Sequence, residues 1–380
     1  MSSYSKILLV LTLFVAEYLT LIFPFKDIIL LVLIGTISLL PRKIVIACLI
    51  LIATNQRLFQ LEILPISIIS PIILIRLITE KKYNFKIVYK SLLIVFVSLV
   101  ISLTQQGYDT FLIAVNSTLV MIYFYRGNTE LGLIQLYASG LIVAAILAFP
   151  IEFHDIISNP NYRFRAGEWN NSNIYGMSCS LAVSYIMLGT IDRGFRIKDM
   201  LLVLGLILII FLTKSRGALL VLSLGTIVWL VKSRMRFRSV IAIALIALLI
   251  PIIFPSLLDG LLNRILNPRQ GDISGGRIVL MMRYVSVILS DSSILLFGVG
   301  HANVMAQFNV DQLAHNGFIE VIAASGVILL ALYLLIFYDF SKRVNSKNHF
   351  AILFLVLSSC LTGHYFFSVE NVVKLYIPDE

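Results

Sequence analysis

Long apolar runs separated by short polar connections make up most of the chain. A helix that crosses a bilayer needs about 20 mostly apolar residues, and thirteen runs come close to this requirement, several of them only with flanking residues. The runs cover 7–23, 28–40, 44–54, 63–78, 87–104, 110–125, 131–150, 174–191, 200–212, 218–231, 240–255, 317–338 and 350–367. The pattern predicts an all-α fold, a polytopic membrane helical bundle with about 12 or 13 transmembrane helices, forming one integral-membrane domain over residues 1–380.

The composition agrees with this prediction. Hydrophobic residues make up 59% of the chain, charged residues only 13%, and the mean hydropathy is +0.96. A soluble domain carries about 25% charged residues, so cytosolic enzymes, disordered chains and disulfide scaffolds are excluded. Cys48, Cys179 and Cys360 lie far apart in apolar runs and form no Cys-x-x-Cys pair, so neither a metal site nor a cofactor is predicted.

The charge of the chain predicts its orientation. The net charge is +10, and in a membrane protein a surplus of Lys and Arg reports sidedness rather than binding to nucleic acid. With the N-terminus in the cytoplasm, nineteen Lys and Arg residues fall inside and five in the short outer connections. Two long loops then face outward, 151–173 and 256–316. Long loops are either functional or disordered, and the aromatic residues in these two are atypical of a disordered tether.

Cations accumulate on this outer side, although the positive-inside bias disfavours them there. In chain order they include Arg163, Arg165, Lys214, Arg216, Arg264, Arg269, Arg277 and Arg283. The planar guanidinium fork suits phosphate oxygens. A cluster of such groups near the bilayer surface predicts a site for a lipid-linked phosphate or pyrophosphate. The alternative is that some of them contact lipid headgroups or pair with acidic residues of the same loops.

A helix is predicted near 276–290, directly after Gly275 and Gly276. Arg277 and Tyr284 share one face of it at helical spacing. With about fifteen residues it is too short to span a bilayer, and it suits an interfacial helix in the second outer loop. Gly298-Val299-Gly300 follows and is interpreted as a flexible turn, because the third glycine of a nucleotide-binding loop is missing.

The segment from Leu313 to Glu320 leads into the span 317–338 from the outer side. His315 lies at the interface, where an imidazole can take a proton near neutral pH. Asn316 and Glu320 share one helix face, and a carboxylate at this depth is costly unless it is paired or functional. We expect His315 to act as a general base that takes a proton from an attacking hydroxyl, with Asn316 or Glu320 holding its imidazole. A purely structural histidine is the alternative.

Four motifs of this region occur in a recognisable order. They are Arg165-Ala166-Gly167 with the asparagines that follow it up to Gly176, Lys214-Ser215-Arg216-Gly217-Ala218 opening a span, Gly276-Arg277 opening a helix, and Ala314-His315-Asn316-Gly317-Phe318-Ile319-Glu320 opening the next span. In this order the chain resembles the integral-membrane O-antigen polymerases (Wzy-type) and the related O-antigen ligases, over roughly residues 150–340. One departure is that the family often has Pro-Asn where this chain has Asn170-Asn171-Ser172-Asn173.

The resemblance implies glycosyl transfer on the periplasmic side of a bacterial inner membrane, from a glycan carried on undecaprenyl pyrophosphate and without a metal. The matching catalytic residues are His315, Arg216 and Arg277. Residues expected to bind the pyrophosphate or the glycan are Arg163, Arg165, Lys214, Arg283, Tyr284, Asn316 and Glu320. Undecaprenyl-pyrophosphate-linked glycans and membrane lipids are the expected partners, together with a chain-length regulator and a flippase, and no nucleic acid.

Three other activities compete with a polymerase of O-antigen or a similar polysaccharide such as capsule. A ligase would use the same donor but transfer the glycan to lipid A–core. A flippase or transporter would need ionisable residues near the bilayer midplane, where only Glu17 is found. An enzyme using polyprenyl-monophosphate sugars would be expected to carry an acidic pair in the first outer loop, where this chain has Lys26-Asp27. The polymerase is the favoured prediction.

Overall fold

A computed structural model describes most of the chain. The described residues are 26–54, 68–80, 85–104, 108–124, 133–159, 162–166, 171–232, 277–344 and 349–360. Within them every regular element is helical and there is no strand, which confirms the all-α membrane fold. The predicted spans 7–23 and 240–255, Glu17, Arg264, Arg269 and the part of the second loop before residue 277 lie outside the described residues.

The helices fall into two compact units. The described part of the first lies within one stretch of the chain, and that of the second lies in two separate stretches. Unit I is described over residues 133–232 and contains α6 (Leu133–Ser158), α7 (Ser172–Arg193), α8 (Ile197–Thr213) and α9 (Arg216–Lys232). Unit II combines residues before and after it. Its first segment contains α1 (Lys26–Leu39), α2 (Arg42–Thr54), α3 (Ile69–Glu80), α4 (Phe85–Thr104) and α5 (Asp109–Phe124).

The second segment of unit II carries the helices of the second outer loop and the following span. They are α10 (Arg277–Ser290), α11 (Ser292–Phe297), a 3-10 turn (His301–Asn303), α12 (Val304–Gln307), α13 (Gly317–Val344) and α14 (His349–Cys360). Helix α10 occupies the position at which the sequence predicts an interfacial helix.

Three helices within the described residues are long and apolar enough to cross a bilayer: Leu133–Ser158, Ser172–Ile191 and Gly317–Lys342. Other apolar helices, such as Asp109–Phe124, have between 10 and 17 residues. Helix α6 continues past Pro150 to Ser158, through residues that the hydropathy pattern assigned to the first outer loop. Only 162–166 and the residues next to the helix ends are therefore described as non-helical backbone between α6 and α7.

Small residues let the helices of unit I pack closely. A Cβ atom added to Gly225 of α9 would lie 1.9 Å from the hydroxyl of Ser184 on α7. One turn closer to the start of α7, the Ser180 hydroxyl donates to the carbonyl of Ala218 at 2.7 Å. Close approach through Gly and Ser is typical of helices packed inside a membrane. Helix α7 is accordingly the most deeply buried of the three candidate spans.

Two side-chain contacts show which helix ends of unit II lie together. Lys90 near the start of α4 forms an ion pair with Asp339 near the end of α13. At the opposite ends, Thr110 in the first turn of α5 accepts a hydrogen bond from the backbone N–H of His301 at 3.3 Å. This arrangement agrees with the alternating sidedness that the hydropathy pattern predicts for these helices.

Helix α13 is interrupted at Gly326, whose φ is 77°. Next to the break, the carbonyls of Ala323 and Ala324 accept the N–H groups of Val299 and Gly300 at 2.8 and 2.9 Å. A Cβ on Gly298 would lie 2.3 Å from the α13 backbone. The interpretation of 298–300 as a flexible turn was therefore wrong. These residues are buried, and the N–H groups of Val299 and Gly300 supply hydrogen bonds to carbonyls next to the break in α13. Irregular backbone at membrane depth requires such a partner within the protein.

Candidate active-site residues in two units

The turn between α8 and α9 carries the motif with Arg216 and is almost completely buried. Thr213 and Ser215 are fully buried and Lys214 is only 3% exposed. Lys214 has a φ of 47° in the left-handed region, which non-glycine residues adopt only when their surroundings enforce it. The Ser215 hydroxyl accepts the N–H of Ala218 at 3.2 Å and so caps α9. Arg216, half-buried, is the first residue of that helix.

The segment 162–166 closes the end of α8. The last carbonyls of a helix lack partners within it. Here the backbone N–H of Phe164 donates to the carbonyl of Leu212 at 3.1 Å, and the Arg163 Nε donates to the carbonyl of Thr213 at 3.2 Å. Arg163 therefore binds the protein itself at this helix end, where a cation is also favoured by the helix dipole.

Asn173, in the first turn of α7, joins these two elements. Its Oδ1 accepts a hydrogen bond from the Arg163 Nη2 and another from the Ser215 hydroxyl, the latter at 3.0 Å. The sequence predicts no role for Asn173, because this residue lies where the chain departs from the Pro-Asn pattern of the O-antigen polymerases and ligases. Asn173 lies two residues after the N-cap Asn171. From the sequence, this spacing indicates the start of a helix and nothing about the contacts of Asn173.

Glu152 of α6 binds segment 162–166 through the residues on either side of Arg163 and Phe164. This carboxylate is 2% exposed and accepts the Tyr162 hydroxyl and the Arg165 backbone N–H, both at 2.9 Å. Burial, together with the hydrogen bond to the charged Glu152, raises the pKa of Tyr162 well above its usual range. The Arg165 guanidinium is exposed and lies 6.0 Å from the centre of the Tyr162 ring. Arg165 thus has its charged group at the surface, unlike Arg163.

His315 adopts an unusual backbone conformation just before α13. Its φ is 56°, and its backbone N–H donates to Glu320 Oε1 at 2.9 Å. Asn316 caps α13, since its Oδ1 accepts the N–H groups of Phe318 and Ile319 at 3.1 and 3.2 Å. The sequence predicts that Asn316 or Glu320 holds the imidazole, whereas these contacts hold the backbone. Glu320 itself is only 4% exposed.

Tyr284 links α10 to the segment before His315. It is fully buried, its ring lies 4.8 Å from that of Phe308, and its hydroxyl donates to the carbonyl of Gln312 at 3.2 Å. Burial and the negative charge of Glu320 raise the pKa of Tyr284 to about 12, so the hydroxyl stays protonated at neutral pH. On the same helix Arg277 is half-buried and Arg283 is exposed.

A second histidine, His301, belongs to the same neighbourhood but was missed by the sequence analysis. It is half-buried at the 3-10 turn. Burial lowers the pKa of His301, and the negative charges of Asp109 and Glu320 oppose this effect. No motif marks His301, because only the fold brings the start of α5 next to residue 301.

The predicted site residues are divided between the units. Unit I contains Arg163, Arg165, Lys214 and Arg216, and unit II contains Arg277, Arg283, Tyr284, His315, Asn316 and Glu320. Among the residues that the structure describes, no three His, Cys, Asp or Glu side chains lie together as metal ligands would.

Comparison with known protein families finds a match for the region that carries most of these residues, all except Arg163 and Arg165. Residues 201–334 match the family model described as O-Antigen ligase (Wzy_C). This stretch, less than half of the chain, is similar to the O-antigen ligase family. This match confirms the resemblance to the O-antigen ligases and polymerases, and it includes Arg216, Arg277 and His315. In the two other comparisons, no curated protein and no solved structure matches the chain.

Proposed function

We propose that this membrane protein polymerises undecaprenyl-pyrophosphate-linked oligosaccharide repeat units into O-antigen or a similar surface polysaccharide. The similarity of residues 201–334 to the O-antigen ligase family supports a role of the O-antigen ligase or polymerase type and hence a glycosyl-transfer enzyme. The polymerase role, the lipid-pyrophosphate donor and the independence from metal ions are our proposals. The observation that supports a catalytic role for His315 is its backbone conformation. Its φ of 56° is maintained by a hydrogen bond to the buried Glu320.

In the proposed reaction, a hydroxyl oxygen of the acceptor glycan attacks the anomeric carbon of the donor. The new glycosidic C–O bond forms as the bond from that carbon to the pyrophosphate oxygen breaks. His315 takes the proton from the attacking hydroxyl as a general base. Backbone strain of the kind seen at His315 is concentrated at functional sites, where surrounding contacts maintain it.

The departing pyrophosphate carries the negative charge that develops in the transition state. We assign its stabilisation to Arg216 and Arg277, since preorganised guanidinium groups supply this without a metal ion. Arg165, Arg283 and Lys214 provide further positive charge for the pyrophosphate or the glycan, and Asn316 and Glu320 support His315. Arg163 and Tyr284 contribute through the contacts that hold the binding segments.

The surplus of Lys and Arg in the connections assigned to the inner side supports an inner-membrane protein whose active site faces the periplasm. In this location the enzyme would meet lipid-linked repeats delivered by a flippase and work beside a chain-length regulator.

A ligase is the second candidate, because the same family domain is compatible with a lipid A–core acceptor. Deleting the gene separates the two functions. Loss of a polymerase leaves one repeat unit on lipid A–core, whereas loss of a ligase leaves none and strands polymer on the lipid carrier. Gel analysis of lipopolysaccharide together with extraction of the carrier-linked glycan distinguishes these outcomes. Unchanged polysaccharide in both fractions would contradict both functions and favour a transporter of another substrate.

A further inference from the structure

One side-chain oxygen connects three helix ends of unit I. The Asn173 Oδ1 at the start of α7 accepts hydrogen bonds from Arg163, which closes the end of α8, and from Ser215, which caps the start of α9. An amide oxygen has two lone pairs, and both are used here. Removing this acceptor would take one hydrogen bond from Arg163 in segment 162–166 and one from Ser215 in the α8–α9 turn.

The turn that Asn173 holds has little freedom to adjust. Lys214 lies in the left-handed region, so the contacts around it must maintain a conformation that is unfavourable for a residue with a side chain. On α7, one turn after Asn173, a Cβ on Gly176 would lie 2.6 Å from the Thr213 hydroxyl and 3.0 Å from the Ala218 side chain. Helix α7 therefore packs directly against both sides of the turn.

Arg216 follows immediately after Ser215, and its backbone begins α9. Its position depends on the turn before it and on the Ser215 cap. Both are fixed by the hydrogen bonds that meet at Asn173.

We infer that Asn173 is a positioning residue for Arg216, acting through Ser215 and Arg163 on the α8–α9 turn. The inference rests on the proposed function, in which Arg216 stabilises the departing pyrophosphate. The inference also separates the roles of two arginines. Arg163 stabilises the turn through its hydrogen bonds, whereas the exposed Arg165 contacts substrate.

The test uses the full-length protein in lipid nanodiscs and undecaprenyl pyrophosphate, the leaving group of the proposed reaction, as the probe. Undecaprenol, which lacks the pyrophosphate, measures binding of the lipid tail alone. Asn173→Leu keeps the approximate size but removes the acceptor, and Asn173→Asp keeps an oxygen for both donors. Tyr175→Phe is the matched control, because it removes a buried hydrogen bond from the same helix, to the Leu141 carbonyl, that does not involve the turn.

We expect N173L to weaken binding of undecaprenyl pyrophosphate at least tenfold, with N173D and Y175F within threefold of the wild type. Polymer formation in cells should follow the same order. If N173L does not assemble, Ser215→Ala removes one of the two donors and should weaken binding in the same direction.

The outcomes separate the inference from the proposed function. Wild-type binding by N173L or S215A, with binding lost in Arg216→Lys, would overturn the inference and leave the proposed function standing. Equal losses in N173L, N173D and Y175F would reduce Asn173 to a general packing role and also overturn it. Wild-type binding by R216K would contradict the proposed role of Arg216, and the inference would fail with it.

Discussion

The carboxylate of Glu320 accepts the backbone N–H of His315 at a distance of 2.9 Å. The two residues are five positions apart, and the contact closes a loop directly before α13 in which His315 has a φ of 56°. A left-handed backbone at a non-glycine residue costs free energy. The hydrogen bond to a buried carboxylate offsets this cost, since hydrogen bonds to charged groups contribute about 1.5–3 kcal/mol. Glu320 is therefore expected to determine where the imidazole lies.

This relationship predicts different effects for two substitutions of Glu320. Glu320→Gln keeps an oxygen that can accept the His315 N–H, whereas Glu320→Ala removes it. We expect E320A to lose polymer formation and E320Q to retain a substantial part of it, measured as polysaccharide chain length on gels at equal protein level. Equal loss in both variants would show that the charge of Glu320, and not its contact with His315, is what matters.

Replacing His315 should abolish the reaction without unfolding the protein. His315→Asn is the sharper variant, because asparagine tolerates the left-handed region better than most residues but cannot take a proton at neutral pH. We expect H315N and H315A to accumulate single lipid-linked repeats and to form no polymer, with the protein still present in the membrane. Long-chain product from H315N would refute the role of His315 as the base.

Lysine should not replace Arg216 or Arg277, the two arginines that we propose stabilise the leaving group. An ammonium group keeps the charge but lacks the planar fork that binds two phosphate oxygens at once, and losing one stabilising donor costs about 10²–10³ in rate. We expect Arg216→Lys and Arg277→Lys to form polymer at least about 100-fold more slowly. Arg196→Lys is the control, since Arg196 is exposed at the opposite end of α8 from the turn. Normal chain length in both variants would contradict the assignment.

Helix α10 should lie in the membrane interface with one flank in lipid. Tyr284 and Ile288 are buried, whereas Ile278, Met282 and Leu289 form a neighbouring exposed apolar flank, 59–69% exposed. At 100° per residue this flank lies about 120° from the buried face.

Arg283, Ser286 and Ser290 lie on the remaining flank of α10, which is mostly polar and also contains the exposed Val279. Nitroxide labels at Met282→Cys and Leu289→Cys in nanodiscs should therefore collide more with oxygen than with a water-soluble nickel chelate. A label at Ser286→Cys should show the reverse. Equal exposure to the chelate at all three positions would place the helix in water.

The start of α2 and the end of α3 share a charged cluster whose loss should destabilise unit II. Glu80 forms ion pairs with Arg76 at 2.5 Å and Arg42 at 3.7 Å, and Arg42 also donates to the Tyr123 carbonyl at 3.3 Å. Removing the carboxylate leaves two largely buried cations uncompensated. We expect Glu80→Ala to lower the free energy of unfolding by roughly 2 kcal/mol, seen as a lower melting temperature in detergent. An unchanged melting temperature would show that these pairs contribute nothing.

The helical membrane fold could be predicted from the sequence because the energetic constraint is local. Each stretch must satisfy its own backbone hydrogen bonds in lipid, so apolar length alone marks α6, α7 and α13. The boundaries were less predictable, as the continuation of α6 beyond Pro150 shows. Residues 151–158 contain polar groups, and their helix depends on contacts, such as those of Glu152, that involve residues ten or more positions away.

Candidate residues were found where a local pattern was informative. His315 and Glu320 stand out because polar residues are rare at the start of an apolar span, and Arg216 and Arg277 because arginine is disfavoured at helix starts and on the outer side. Glu152, Asn173 and His301 were missed. Their importance comes from partners on other elements, which no spacing along the chain reveals.

The sequence by itself determined that the chain is a helical membrane protein and which polar motifs interrupt its apolar stretches, since hydropathy and motif composition are properties of short stretches. Only the tertiary structure decided what each polar side chain does. It separated Arg163, bound to helix ends, from Arg165 at the surface, and it placed the Glu320 carboxylate on the backbone of His315. Such roles depend on distances between groups on different elements, and these distances exist only after the helices have packed.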